Sequence, residues 1–359
     1  MLKVEKEALL LRPRDFKPSH KNLEVIGAFN PGALRLKNGD IMLYVRVAER
    51  LKKFRGRKYV YSPISVSNNK YKLRIDRFRL KEVDHGDKKG FYFKDRTLRL
   101  TYISHFRRVL LDKDGFEVKK IEQKPGFFGT PFDGELGIED ARITKIEGKY
   151  IMTYVALSKF NSISSSYAVS HDGYNWHKRG IIFRHQNKDC VLFPKKINNR
   201  YVAFNRPEGN FEFSLPHMWI SFSKDLEHWG DDYSILVSKK GWDANRVGPG
   251  CPPILTKRGW LELYHGVHPE LGYCMGAALF EKNNPQKLIA RSYPDVPLLS
   301  PKEDYEKEGY MKNVLFPTGL IEESKGNLLL YSGCADTYVG VKRVHVDEIL
   351  KHIKRGHLK

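Results

Sequence analysis

Close cysteine pairs are missing from this sequence. Its four cysteines, Cys190, Cys251, Cys274 and Cys334, never approach a CxxC spacing, so a zinc site is not expected. Three of them open apolar runs (Asp189-Cys190-Val191, Gly250-Cys251-Pro252, Gly333-Cys334-Ala335), which reads as small buried thiols in a reducing compartment. No apolar run is long enough to cross a bilayer. The start, Met1-Leu2-Lys3-Val4-Glu5-Lys6, lacks the basic-then-apolar layout of a signal peptide. A soluble, cytoplasmic protein is the expectation. Helical signal is scarce until Asp347-Glu348-Ile349-Leu350-Lys351, which reads as a short C-terminal helix.

Acidic balance is also lacking. The 359 residues carry a formal net charge of +21. Three causes compete: nucleic acid binding, an anionic substrate drawn in by a positive field, or a thermophile-type charged surface. The basic residues read as widely spread, densest over Lys52-Lys53-Phe54-Arg55-Gly56-Arg57-Lys58 and in the C-terminal tail. No recognition-helix or RNP-like motif accompanies them, so nucleic acid is not the expected partner. Hydrophobic residues make up 41% and aromatics 12%, ample for a large core in one big domain or two ordinary ones.

One phrase recurs along the chain: strand, tight turn, strand. It is written at Asn30–Arg46, Glu139–Tyr154, Val191–Pro207, Pro252–Gly266 and Phe316–Ser332, with turns such as Lys37-Asn38-Gly39-Asp40 and Glu147-Gly148. The last four hairpins are spaced roughly fifty to sixty-five residues apart, the period of propeller blades with insertions. Outer hairpins repeat a Ser-x-Asp-turn-Trp wording (Ser170 to Trp176, Ser223 to Trp229). An all-β, five-bladed propeller with a short C-terminal helix is expected, a two-sheet β protein being the alternative. Residues 1–359 read as one domain, with 1–20 a lead-in and 345–359 a helix and tail. The charged stretch Asp84 to Arg96 reads as a loop, over the propeller mouth or at a subunit contact.

The second hairpin opens on Gly137-Ile138-Glu139-Asp140-Ala141-Arg142-Ile143. Two adjacent carboxylates beside a guanidinium are either a surface ion pair or a catalytic acid next to a cationic subsite. Strand alternation puts Glu139 on the face opposite Asp140, bound to Arg142 or to backbone.

Six motifs in order resemble glycoside hydrolase family 130. They are Gly-Ile-Glu-Asp-Ala-Arg-Ile-Thr, Lys-Asp-Cys-Val-Leu-Phe-Pro, Arg-Pro, Gly-x-Gly-x-Pro-Pro-Ile with Gly-Trp-Leu and Tyr-His-Gly, Phe-Pro-Thr-Gly-Leu, and Ala-Asp-Thr. The resemblance runs from about Asn30 to about Asp347. It implies a five-bladed propeller that cleaves β-mannosides with inversion. Most such proteins are phosphorylases releasing α-mannose 1-phosphate, and a smaller branch hydrolyses β-1,2-mannosides. An inverting hydrolase needs two carboxyl groups set apart, an acid and a base. A phosphorylase needs the acid and cations that hold phosphate.

The resemblance places the acid at Asp140, acting through a hydroxyl of the mannosyl ring. It implies phosphate binding by Arg46, Lys188, Arg206, Arg246 and Tyr273, and sugar binding by Asn30, Asp189, Asp336 and His265. Four cations facing one pocket repel each other unless an anion sits among them. Glu208 and Glu212 are the carboxylates to watch for a hydrolytic base, and Trp260 reads as packing. No metal or organic cofactor is implied; inorganic phosphate is the co-substrate and a β-1,2- or β-1,4-linked manno-oligosaccharide or mannosyl-glucose the other partner. Loop-mediated homo-oligomers are usual in such proteins. The alternatives are an inverting β-mannoside hydrolase and a non-catalytic, polyanion-binding propeller.

Overall fold

The computed structural model describes all residues except 1, 185, 209–213, 239, 293–294 and 355–359. It is an all-β protein. The chain opens with strand β1 (Val4–Leu11), then β2 (Leu23–Arg35) and β3 (Ile41–Leu51). An insertion follows: β4 (Tyr59–Ser65), β5 (Leu73–Arg79), β6 (Val83–Gly86), β7 (Gly90–Phe93) and β8 (Leu98–Leu100). Strands β9 (Tyr102–Leu111) and β10 (Val118–Ile121) then return to complete a sheet of order β10-β9-β3-β2.

Three further sheets follow in chain order. The second is β11 (Gly137–Ile146), β12 (Lys149–Ser158), β13 (Ser162–Ser170) and β14 (His177–Phe183). The third is β15 (Asn187–Leu192), β16 (Tyr201–Pro207), β17 (Met218–Ser223) and β18 (Trp229–Leu236). In the fourth, β19 (Arg246–Pro249) and β20 (Ile254–Thr256) share one edge of β21 (Gly259–His268), followed by β22 (Gly272–Phe280) and β23 (Leu288–Ser292).

After helix α1 (Asp304–Lys307) come β24 (Leu315–Glu322), β25 (Asn327–Cys334) and β26 (Tyr338–His345), then helix α2 (Val346–Lys351) and β27 (Ile353–Lys354), which joins β23 of the fourth sheet. The fifth sheet is β24-β25-β26 with β1 on its outer edge. The lead-in therefore contains a strand: Ala8 pairs with Val341 and ties the start of the chain to the fifth sheet. Helix α2 lies where the sequence puts one.

Alternating apolar residues give each sheet two buried faces, and five of the core clusters fill the gaps between successive sheets. Met42, Tyr44, Ile143 and Met152 fill the gap between the first and second sheets. Ile146, Ile151, Leu192 and Ala203 fill the next. Phe204, Met218, Trp260 and Phe280 pack between the third and fourth. Leu261, Leu279, Leu330 and Val344 join the fourth to the fifth. Val45, Val109, Leu329 and Val341 join the fifth back to the first. Trp260 is core, as expected. The first strands of the sheets, β2, β11, β15, β19 and β24, are all edge strands, and each packs on a neighbouring sheet.

The insertion differs from expectation. Asp84 to Arg96 is not a loop; it lies within the small antiparallel sheet β6-β7-β8. Its core is Phe91 and Phe93, buried with Val60 under the two-stranded sheet β4-β5. The alternating Gly90-Phe91-Tyr92-Phe93 is the strand signal that the surrounding charge obscures.

Candidate active site

Asn30, Asp140 and Asp189 occupy one repeated position. Each lies on the first strand of its sheet at a register break, between Phe29 and Gly32, Glu139 and Arg142, and Lys188 and Val191. Each has a left-handed backbone, φ 45°, 55° and 55°. Asn and Asp tolerate that region better than other non-glycine residues, and a bulge there re-aims the side chain. Asp336, at φ 50°, adds a fourth such residue after β25. All four line one cavity of about 210 Å³.

The same cavity is lined by Arg46, Lys188, Arg206, Arg246, His265 and Tyr273, so all ten residues singled out from the sequence come together. Arg46 is mid-strand in β3 rather than at a hairpin end. Tyr102, Glu139, Met311, Val314 and Phe316 complete the wall. A larger cleft of about 400 Å³, lined by Glu147, His177, Arg179 and Glu227, opens elsewhere, so size does not pick out the site. Charge does.

Glu139 corrects the alternation rule. The bulge at Asp140 breaks the two-residue period, so both carboxylates face the cavity. Arg46 bridges them, Nη2 to Glu139 Oε1 at 2.5 Å and Nη1 to Asp140 Oδ1 at 2.9 Å. Asn30 Nδ2 also donates to Asp140 Oδ1 at 2.9 Å. Burial pushes the Asp140 carboxyl up, but Arg46 and Arg142 beside it hold it below its ordinary value.

Arg142 is neither a surface ion pair nor Glu139's partner. It is 1% exposed and lies beneath the cavity. Nη1 donates to the Asp140 carbonyl at 2.7 Å, Nε to the Gly250 carbonyl at 3.0 Å, and Nη2 to Asp189 Oδ1 at 3.2 Å. One guanidinium thus ties β11 to β15 and to the residue just past β19.

The four cations are not a bare positive ring. Arg206 donates to Asp189 Oδ2 at 2.8 Å and to Glu208. Four carboxylates on the wall, Glu139, Asp140, Asp189 and Asp336, balance the four cations. Those carboxylates relieve the repulsion that the sequence had assigned to a bound anion. Lys188 and Arg246 are the loosely paired members, 3.8 Å from Glu139 and 3.7 Å from Glu208. Arg246 Nη1 also reaches the Tyr273 hydroxyl at 3.2 Å. Glu208 is thus engaged by cations; Glu212 lies outside the described residues.

His265 is fully buried, and its Nδ1 lies 3.2 Å from the Pro249 carbonyl. A carbonyl only accepts, so Nδ1 carries the hydrogen and Nε2 is left as an acceptor without a hydrogen-bond partner among the described residues. Burial pulls its pKa down to about 3, with Asp189 opposing. Asp336 moves the other way: burial pushes it up to about 6, against the pull of Arg46. Among the described residues no cluster of His, Cys, Asp and Glu fits a metal ion. All four cysteines are buried and unpaired. No helix is long and apolar enough to cross a membrane.

A sequence profile described as Glyco_hydro_130, beta-1,4-mannooligosaccharide phosphorylase, matches residues 91–355. The chain belongs to glycoside hydrolase family 130. Within family 130 it is 36% identical to a beta-1,2-mannobiose phosphorylase of Listeria innocua over 356 residues, covering 96% of each chain. It is also 36% identical to a 1,2-beta-oligomannan phosphorylase of a Thermoanaerobacter species, covering 69% of this chain and 81% of that one. A solved structure of the Listeria phosphorylase with beta-1,2-mannobiose superposes with a TM-score of 0.86 at 96% coverage of both chains.

Nothing in the sequence pointed to Tyr102, Met311 or Val314. Glu139 was visible but assigned to the wrong face.

Proposed function

We propose that this chain is an inverting β-mannoside phosphorylase with Asp140 as its acid. One observation carries the reading: Asp140 shares a cavity with Lys188, Arg246 and Tyr273, whose donors are not held in tight ion pairs. The family and the names of its relatives support it. A phosphate oxygen forms a bond to the anomeric carbon as the bond from that carbon to the bridging oxygen breaks. The proton for the departing oxygen comes from Asp140 through a ring hydroxyl, and α-mannose 1-phosphate is released. Only one carboxyl acid is needed, because phosphate is already a nucleophile.

In this reading Lys188, Arg246 and Tyr273 take the phosphate, with Arg206 and Arg46 behind them. Asn30, Asp189, Asp336 and His265 face the sugar. His265 accepts from a hydroxyl, since its free nitrogen carries no hydrogen. The linkage favoured is β-1,2, because the relatives matched along most of the chain carry that name. No organic cofactor or metal takes part. We read the five sheets as the blades of one propeller spanning 1–359, because each gap between successive sheets is filled and the fifth sheet packs on the first. Four unpaired thiols agree with a reducing, cytoplasmic setting.

Incubation with β-1,2- and β-1,4-mannobiose, with and without phosphate, tests the reading. Mannose 1-phosphate that forms only with phosphate supports it. Free mannose released equally in both arms supports the hydrolase instead, and no turnover on either sugar sinks both.

A further inference from the structure

The positive charge of this chain is not widely spread. Residues 52–101 hold sixteen Lys and Arg against five Asp and Glu, a net +11 of the chain's +21. This stretch is the insertion β4–β8, whose small sheets leave nearly all of those side chains exposed. Among the described residues, Arg74 is the one cation of the sixteen within ion-pair distance of a carboxylate. The charge is therefore largely uncompensated.

The insertion stands at the cavity. It leaves the first sheet after Leu51 and rejoins it at Tyr102, which lines the wall. Its β6–β7 turn packs on the segment holding Tyr310 and Met311: Lys88 Nζ lies 4.8 Å from the Tyr310 ring centre and Lys89 Nζ 6.0 Å. Met311 is another wall residue, and the Tyr310 amide donates to Thr337 Oγ1, next to Asp336, at 2.7 Å.

The cavity itself exerts little long-range pull, since its four cations face four carboxylates. A dianion approaching from solvent feels the insertion instead. We infer that the insertion is an electrostatic collector, raising the local concentration of inorganic phosphate at the mouth and retaining the sugar phosphate in the reverse direction. A focused field of one sign does this for charged ligands and does nothing for neutral ones. The neutral mannoside is thus an internal control. This inference rests on the phosphorylase reading.

The test compares K52Q/K53Q/R55Q/R57Q, all exposed and outside the cavity wall, with K37Q/K224Q/K257Q/K282Q, which removes the same charge elsewhere. At an ionic strength of about 10 mM, where screening reaches about 30 Å, the insertion variant raises the phosphate KM by about 3- to 10-fold. The KM for mannose 1-phosphate in synthesis rises in step, kcat and the mannoside KM stay put, and the difference fades by about 200 mM salt. The control variant stays near wild type. K52Q/K53Q alone gives a smaller shift in the same direction. Equal phosphate KM values for the two four-site variants at low salt overturn the inference, as does a mannoside KM that moves as far as that for phosphate. If wild type shows no phosphate-dependent turnover, it is the phosphorylase reading that fails.

Discussion

Nη1 of Arg46 donates to Oδ1 of Asp140 across 2.9 Å. The proposed acid is therefore clamped by a cation, and its carboxyl is held below its ordinary value although burial opposes this. The proposed reaction requires a proton there. Phosphate bound among the neighbouring cations adds negative charge, which favours the protonated acid. In the proposed mechanism Arg46 therefore lowers the proton affinity of Asp140 and also helps to hold the anion.

Replacing Arg46 with methionine takes one cation from Asp140 and raises its pKa. The alkaline limb of kcat/KM, where the acid loses its proton, moves to higher pH than in wild type. The phosphate KM rises by about 10-fold or more, since a charge-assisted contact is worth roughly 1.5–3 kcal/mol. A pH profile of residual activity decides this. An unmoved limb removes the link between the two residues.

Asp140→Asn keeps the shape and removes the proton. A positioned acid contributes about 10²- to 10⁴-fold, so kcat falls by that order while phosphate still binds. Thermal unfolding shifts by only a few degrees, because Asn30 and Arg46 keep an oxygen acceptor. Activity within a few-fold of wild type takes the role of acid away from Asp140.

Much of the site was legible because the same hairpin is written five times, and in three of the five the first strand carries Asn or Asp at the bulge. Asn30 and Asp189 each precede an apolar run, and that placement can be read without coordinates. Glu139 was not legible, because a left-handed residue after it cancels the strand period. The neutrality of the cavity was also hidden. Arg46 belongs to the first sheet and its partners Glu139 and Asp140 to the second, so their pairing depends on two sheets meeting. The insertion was misread for a different reason. Its buried Phe91 and Phe93 are embedded in charge, and composition outweighed the short alternation.

Arg142→Met separates structure from phosphate binding. Its guanidinium is buried and serves the carbonyls of Asp140 and Gly250 and the Asp189 carboxylate. Removing one partner from a buried charged network costs about 3–5 kcal/mol. Arg246→Met, at a side chain 33% exposed and loosely paired, costs no more than about 1 kcal/mol and raises the phosphate KM instead. Denaturant midpoints together with phosphate kinetics check both. Equal destabilisation by the two variants contradicts the strut role of Arg142.

Asp336 gives a pH dependence whose sign is fixed. Its folded pKa, about 6, lies above the ordinary carboxyl value of 3.8. The folded state binds this proton more tightly than the unfolded chain does. Its contribution to stability is therefore full below about pH 4 and is lost as pH rises through 6. Asp336→Asn consequently gains on wild type between pH 4 and 7, by about 2 kcal/mol. In the proposed reaction the ionised carboxylate accepts hydrogen bonds from sugar hydroxyls, so the wild-type mannoside KM rises as pH falls through 6. In the Asn variant that rise is absent. A KM profile indifferent to this substitution excludes Asp336 from the sugar site.

Gly333 has no chemistry of its own, yet it seats Asn30, which donates to the proposed acid. A Cβ added there would lie 1.7 Å from Asn30 Oδ1 and 2.9 Å from the Asn30 amide nitrogen. The missing side chain lets the Asn30 amide lie against β25 and donate from Nδ2 to Asp140. Gly333→Ala has to displace that amide, and with it one of the two donors to Asp140 Oδ1. Small misplacements of a catalytic group reach about 10²-fold in rate, so a fall of about 10- to 100-fold in kcat is expected. Asn30→Ala removes the same donor without the clash. It should match Gly333→Ala in kcat while unfolding at a higher temperature. If Gly333→Ala keeps full kcat, Asn30 does not position the acid, whatever the distance between them.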